Sequence, residues 1–149
     1  RMAEEAPAAR SFIDPDDPVF SSPGDMPARI REACRDSSQE VPDSREDVLR
    51  CIIESLAKKY AATVRAASEF SPEPISRLHV IGGGSRNSLL NQLTARELGI
   101  PLVAGPAEAT SKGNILLQAL ATGELAGLDE LRQVSAASTE LRHYEPTGA

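Results

Sequence analysis

The sequence has few aromatic residues: no tryptophan, two tyrosines and three phenylalanines among 149 positions. Its core must therefore be built from Leu, Ile, Val and Ala. Cysteine is equally scarce. Cys34 and Cys51 are the only two, too few for a structural zinc site with its closely spaced ligand pairs. Free, buried thiols are the expectation, since disulfides are uncommon in the reducing cytosol. No apolar run approaches the roughly 18–20 residues that cross a bilayer. Residues 1–5, Arg-Met-Ala-Glu-Glu, lack the apolar stretch of a signal peptide, so cytoplasmic residence is expected. A basic excess is also absent. Sixteen Lys and Arg stand against 22 Asp and Glu, for a net charge of −6. That balance argues against nucleic acid and anionic membranes as partners. What remains is one globular domain with 40% hydrophobic residues.

The pattern along the chain predicts α/β architecture. Residues 1–9 suit a short helix. Residues 10–27 are broken by Pro15, Pro18, Pro23 and Pro27 among aspartates and Gly24, and read as an ordered loop. Phe12, Ile13, Val19 and Phe20 are its expected anchors. Residues 26–35 form an amphipathic helix with Ile30, Ala33 and Cys34 on one face. The clearest helix covers residues 44–68, capped by Asp43 or Ser44. Val48, Ile52, Leu56, Tyr60 and Val64 make one apolar row, and Leu49, Ile53, Ala57 and Ala61 another. So wide a stripe predicts a central, packed helix.

The pattern then changes. Residues 78–81, Leu-His-Val-Ile, read as a buried strand entering Gly82, Gly83, Gly84 and Ser85. A helix with Leu89, Leu90, Leu93 and Leu98 follows, and stops at Gly99 with Pro101 beyond. Residues 102–104 give a second strand, and Gly105-Pro106 a turn. A helix with Ile115, Leu116, Ala119 and Leu120 ends at Gly123, and a last helix spans about residues 128–137. Residues 77–122 thus make a βαβα unit whose two strands are parallel across a right-handed connection.

A glycine cluster between a strand and a helix lets backbone approach a ligand closely. The helix start offers N–H groups and partial positive charge to an anion such as phosphate. Ser85 and Asn87 add side-chain hydrogen bonding, and Arg86 faces either a phosphate or solvent. A tight turn with no ligand accounts for the same glycines. The segment lacks the third glycine of the dinucleotide fingerprint and the Lys-Ser/Thr of a P-loop. In the loop at residues 105–111, Glu108 and Thr110 either shape the same cleft or serve the next helix, Thr110 or Ser111 as its cap and Glu108 through the dipole. No catalytic set is visible. His79 and His143 have no partner that sequence can justify. Asp14, Asp16 and Asp17 lack the glycine and distal glutamate of a calcium loop and read as a solvated turn.

Residues 78–95 resemble the adenosine motif of the FGGY carbohydrate kinases. Residues 99–110 and then Gly113, Asn114 and Ile115 narrow the resemblance to the branch that phosphorylates L-rhamnulose. Residues 12–20, Ala33-Cys34-Arg35 and the stretch from Arg50 to Ala57 are similar to the same branch. The resemblance implies the C-terminal part of an actin-like, ribonuclease H-like ATPase fold. Residues 1–149 would form one C-terminal nucleotide-binding domain, with 1–27 as entry segment and 77–122 as its βαβα core. It implies transfer of the ATP γ-phosphate, with Mg2+, to L-rhamnulose to give the 1-phosphate. It gives Gly83 as the glycine against ATP, Gly82 and Gly84 beside it, and Asn87 as a helix-start residue near the adenosine. Relatives also allow a disulfide between Cys34 and Cys51. The family's phosphate loop, sugar-binding residues and catalytic aspartate lie upstream of the matched stretch, and none is in these 149 residues. The N-terminal catalytic domain is thus absent, and no turnover by this chain alone is expected.

Two other readings compete. A Rossmann-type binder wants an acidic residue at the end of the second strand, where Val103-Ala104-Gly105 stands. A non-catalytic interaction module would present an apolar face of the helix at 44–68.

Overall fold

The computed structural model describes residues 2–146. Residues α1 (Met2–Glu5), α2 (Met26–Asp36) and α3 (Arg45–Ser68) come first. Strand β1 (Leu78–Val80), α4 (Ser88–Leu98), β2 (Leu102–Ala104) and α5 (Ala109–Ala121) form the expected βαβα unit. The chain continues into α6 (Leu128–Ala137) and β3 (Arg142–Tyr144). The sheet order is β1-β2-β3. β1 and β2 are parallel, with Leu78 opposite Leu102 and Val80 opposite Ala104. β3 lies antiparallel to β2, pairing Tyr144 with Leu102.

Helix α3 starts where its sequence gives the backbone a cap. The Ser44 hydroxyl accepts from the Asp47 N–H at 3.0 Å, and the Asp47 carboxylate accepts from the Ser44 N–H at 3.1 Å. This reciprocal box satisfies two donors that a helix start leaves open. Ser44 rather than Asp43 is therefore the cap. The Ser44 side-chain hydrogen bond, then the backbone bond, holds Asp47 below the ordinary aspartate range. A carboxyl with a lowered folded pKa stabilises above the ordinary value and loses that contribution as pH falls through the depressed one. Ser44→Ala should destabilise the fold by about 1 kcal/mol near neutral pH, with a smaller difference from wild type in strong acid. Thermal melts at both pH values check this.

The buried stripe of α3 is narrower than the sequence pattern suggests. Val48, Cys51, Ser55, Ala57 and Ala61 are buried, whereas Tyr60 is 42% exposed. Small residues let α3 lie close along α4, with α1 and α2 also packed on it. The apolar face proposed for an interaction module is thus covered in part, with Leu49, Ile52, Ile53 and Leu56 half-buried and Tyr60 exposed. Other exposed large apolar residues lie elsewhere, on Ile115 and Leu117 of α5, Leu128 of α6 and Ile81.

One core cluster joins α2 to α3 through Ile30, Cys34, Val48 and Cys51, with Ile13 and Phe20 of the entry loop packed on it. Val19 is exposed and does not anchor that loop. Pro18–Phe20 is a short 3-10 turn capped by Asp17. Both cysteines are free and buried. Burial, then the neighbouring Cys34 thiol, pushes Cys51 up to about 11. A thiol with a raised folded pKa stabilises below the ordinary value and loses this as pH rises through the folded one. The folded chain should lose stability between about pH 9 and 11. At pH 8, Cys51 should resist an aromatic disulfide reagent until denaturant is added, because only the thiolate reacts. Rapid labelling of folded protein would contradict this.

The second cluster sets the sheet against α4. Ala95, Leu102 and Ala104 are buried, with Leu78, Val80 and Tyr144 against them. Burying a leucine such as Leu102 stabilises by about 1.5–3 kcal/mol. Gly99, at φ 75°, ends α4 in the left-handed region. Strand β1 is not the buried strand that its apolar run suggests. It forms one edge of the sheet, stops at Val80, and leaves His79 and Ile81 exposed.

Candidate functional site

The site is built where β1 and β2 end side by side. Gly105 N–H donates to the Val80 carbonyl at 2.8 Å, and Gly82 N–H to the Pro106 carbonyl at 3.0 Å. These bonds extend the parallel pairing past both strand ends. They hold the glycine segment against the loop after β2. Gly82 has φ 78° and ψ −165°, a conformation that glycine adopts at little cost. Gly105 has φ 119°, and the Gly105–Pro106 peptide is cis.

The glycines do not open α4 directly. Residues Gly83–Arg86 form a 3-10 turn, and α4 starts one turn later with Asn87 as its cap. The Asn87 side-chain oxygen accepts from the Leu90 N–H at 3.1 Å. Gly83 and Gly84 face open space where a Cβ would stand, with no atom within 4 Å. Their bare backbone makes a shelf at the carboxyl edge of the sheet, the edge at which open α/β sheets receive ligands.

Ser85 turns inward. It is 5% exposed, and its hydroxyl donates back to the Gly82 carbonyl at 2.7 Å. Arg86 crosses from the turn to the next loop and pairs with Glu108 at 3.1 Å, both side chains being exposed. Such a surface pair adds little to stability. Glu108 is itself the cap residue of α5, without a side-chain cap bond, so Thr110 and Ser111 lie inside the helix rather than before it. Lys112 donates to the Ser138 carbonyl and to Thr139 Oγ1, both at 2.6 Å, and ties α5 to the end of α6.

Two hollows flank the shelf. A cavity of about 120 Å³ is bounded by Ile81, Gly82 and residues 107–111. An open groove of about 480 Å³ runs past Arg86, Asn87, Ser88 and Leu89 to Leu49, Ile53 and residues 2–4. The four residues singled out from sequence, Gly82, Gly83, Gly84 and Asn87, therefore stand together between these hollows. Sequence reasoning missed Asn91, which is 2% exposed beneath the turn. Its signal was a polar residue on the apolar side of a helix, one turn beyond Asn87.

A strand, a glycine shelf and a capped helix at the carboxyl edge of a parallel pair make the kind of edge at which open α/β sheets receive ligands. Residues 1–122 match the model of the FGGY family of carbohydrate kinases, C-terminal domain, and the chain belongs to that family. The chain is 49% identical over 144 residues to a rhamnulokinase of Bacteroides thetaiotaomicron, covering 97% of this chain and 30% of that protein. It is 45% identical over 140 residues to a rhamnulokinase of Klebsiella pneumoniae strain 342, covering 94% of this chain and 29% of the relative. The chain thus spans about 30% of the length of the curated relatives it matches.

Neither His79 nor His143 is drawn into the site. His143 is paired opposite Val103, and His79 lies on the other side of β2. Asp14 and Asp16 sit far along the chain, each within 3 Å of Lys59 Nζ. No helix among the described residues is long and apolar enough to cross a membrane.

Proposed function

We propose that residues 1–149 form one C-terminal nucleotide-binding domain of a rhamnulokinase-type sugar kinase, and that the Gly82–Gly84 shelf receives the adenosine part of ATP. The observation that carries this reading is the open backbone at Gly83 and Gly84, beside a helix start capped by Asn87. With the Asn87 oxygen engaged by the helix, its NH2 group is the one left to meet a purine ring or ribose. Gly83 makes the close contact, because any side chain there would stand in the space the nucleotide needs. The groove past Leu49, Ile53 and Leu89 offers an apolar wall for a flat ring. The reaction that the reading implies is transfer of the ATP γ-phosphate to L-rhamnulose, giving its 1-phosphate, in the cytoplasm.

Phosphoryl transfer depends on positioning and charge stabilisation around the transferred group. This chain brings a surface for the nucleoside end. Mg2+ in such reactions neutralises phosphate charge. Among the described residues no group of three or more His, Cys, Asp or Glu could hold a metal ion. The sugar and the base that deprotonates its hydroxyl belong to parts of the kinase that this sequence does not contain. The purified 149-residue chain should therefore bind ATP without consuming it. L-rhamnulose-dependent release of ADP by this chain alone, followed in a coupled assay, would contradict the reading.

A further inference from the structure

We propose that Asn91 is a positioning residue that holds the glycine shelf in its nucleotide-receiving form from beneath. This rests on the nucleotide reading given above. Asn91 lies on the second turn of α4, and its Cβ points toward the helix N-terminus, as every helical Cβ does. Its side-chain amide reaches back past the Asn87 cap and donates to the Ser85 carbonyl at 3.0 Å. Both residues are buried, Asn91 at 2% and Ser85 at 5% exposure. Ser85 in turn donates twice to the Gly82 carbonyl, from its N–H at 3.1 Å and its hydroxyl at 2.7 Å. The chain of contacts therefore runs from the interior of α4 through Ser85 to the residue that turns the backbone into the shelf.

The shelf needs such support because its own residues supply none. Gly83 and Gly84 have no side chains to pack, and glycine leaves the backbone more states than any other residue. The backbone bonds that close the 3-10 turn include Ser85 N–H to Gly82 and Asn87 N–H to Gly84, both at 3.1 Å. Asn91 adds a buried bond to a carbonyl which no bond in that turn uses. Buried bonds of this kind matter most when one partner is removed, because the other is left without water or protein.

The test compares Asn91→Asp with Thr94→Val in the 149-residue chain. Asp keeps the shape but loses the donor. Thr94 is equally buried in the same helix, and its hydroxyl bonds to the Leu90 carbonyl at 2.7 Å, away from the shelf. Amide hydrogen exchange at Ser85 and Asn87 is read first, then ATP affinity by calorimetry. In Asn91→Asp both should change by roughly tenfold, with faster exchange and weaker binding, while core amides such as Ala57 and Ala95 keep their rates. Thr94→Val should leave the shelf amides and ATP affinity as in wild type. If N91D does not fold, Asn91→Ser removes the same amide without a charge and carries the same expectation. Wild-type exchange at Ser85 and Asn87 in the Asn91 variants overturns the proposal, as does an equal effect of Thr94→Val. Faster exchange with unchanged ATP affinity overturns its nucleotide role. Failure of the wild-type chain to bind ATP at all instead overturns the reading of the site, which the exchange data separate from the tether itself.

Discussion

Replacing Gly83 with arginine should abolish ATP binding and leave the fold intact. The two halves of this expectation have separate physical causes. Gly83 lies outside the left-handed region, and a Cβ built on it meets no atom within 4 Å. An arginine is therefore accommodated by the free protein at little cost, and the melting temperature should stay within a degree or so, as for most surface changes. The same side chain fills the space above the shelf. ATP affinity should fall by roughly a hundredfold or more, about 2.7 kcal/mol. The choice of arginine sharpens the test. Its positive charge favours a triphosphate, so loss of binding reports on blocked space and not on repulsion. Calorimetric titration of ATP into wild type and Gly83→Arg gives the affinity, and a melt of each gives the stability. Equal affinity in the two proteins would remove the shelf from the nucleotide site.

Gly105→Val should have the opposite signature, a large loss of stability. Gly105 has φ 119°, where a β-branched residue is strained, and a Cβ there would stand 3.0 Å from the Glu140 carbonyl oxygen and 3.6 Å from Leu141 Cδ2. The oxygen cannot give way freely, since it is backbone leading into β3, whereas the exposed Leu141 tip is only in ordinary contact. Strain of this kind costs about 1–3 kcal/mol, and overpacking a similar amount. A loss of roughly 3–5 kcal/mol follows, a large share of the few kcal/mol that hold a domain of this size. Denaturant unfolding of the variant should show a much lower midpoint. The Gly105 N–H bond to Val80 couples the same residue to β1, so the shelf should loosen with it. Gly105 and Gly83 are thus separable by experiment, one acting through the fold and the other through the ligand.

Much of this was legible from residue order. The βαβα unit followed from two short apolar runs with glycines and a leucine-rich helix between them, and its parallel pairing is observed. The start of α3 was readable as a cap at Asp43 or Ser44, between which the structure selects Ser44, and the end of α4 as Gly99. Strand β3 was not legible. Arg142-His143-Tyr144 is only three residues long and largely polar, and it becomes a strand because β2 offers it an unpaired edge. The burial of α3 was misjudged at Tyr60 for a related reason. Periodicity identifies an apolar stripe, but the helix that packs against it, α4, selects the small residues that permit close approach.

At the site, the glycines, Asn87 and their position at the strand ends were readable, whereas the internal wiring was not. Ser85 stands in the motif like a ligand-facing hydroxyl, yet it turns inward to Gly82 because the 3-10 turn presents it to the interior. Arg86 and Glu108 are 22 residues apart and meet only because β1 and β2 are neighbours. Asn91 is buried only because α4 packs its own first turns beneath the glycine segment. Each of these is a contact between segments, which sequence spacing does not encode.

The most direct test of the central claim is a titration of the isotopically labelled chain with ATP, followed through its backbone amide resonances. Binding at the shelf should shift Gly83, Gly84, Arg86 and Asn87 most, with smaller changes along Leu89 and Leu49 in the adjoining groove. The largest shifts falling instead around residues 7–11 and 40–43, which line a separate cavity of about 240 Å³, would contradict it, as would an unshifted glycine segment at saturating ATP.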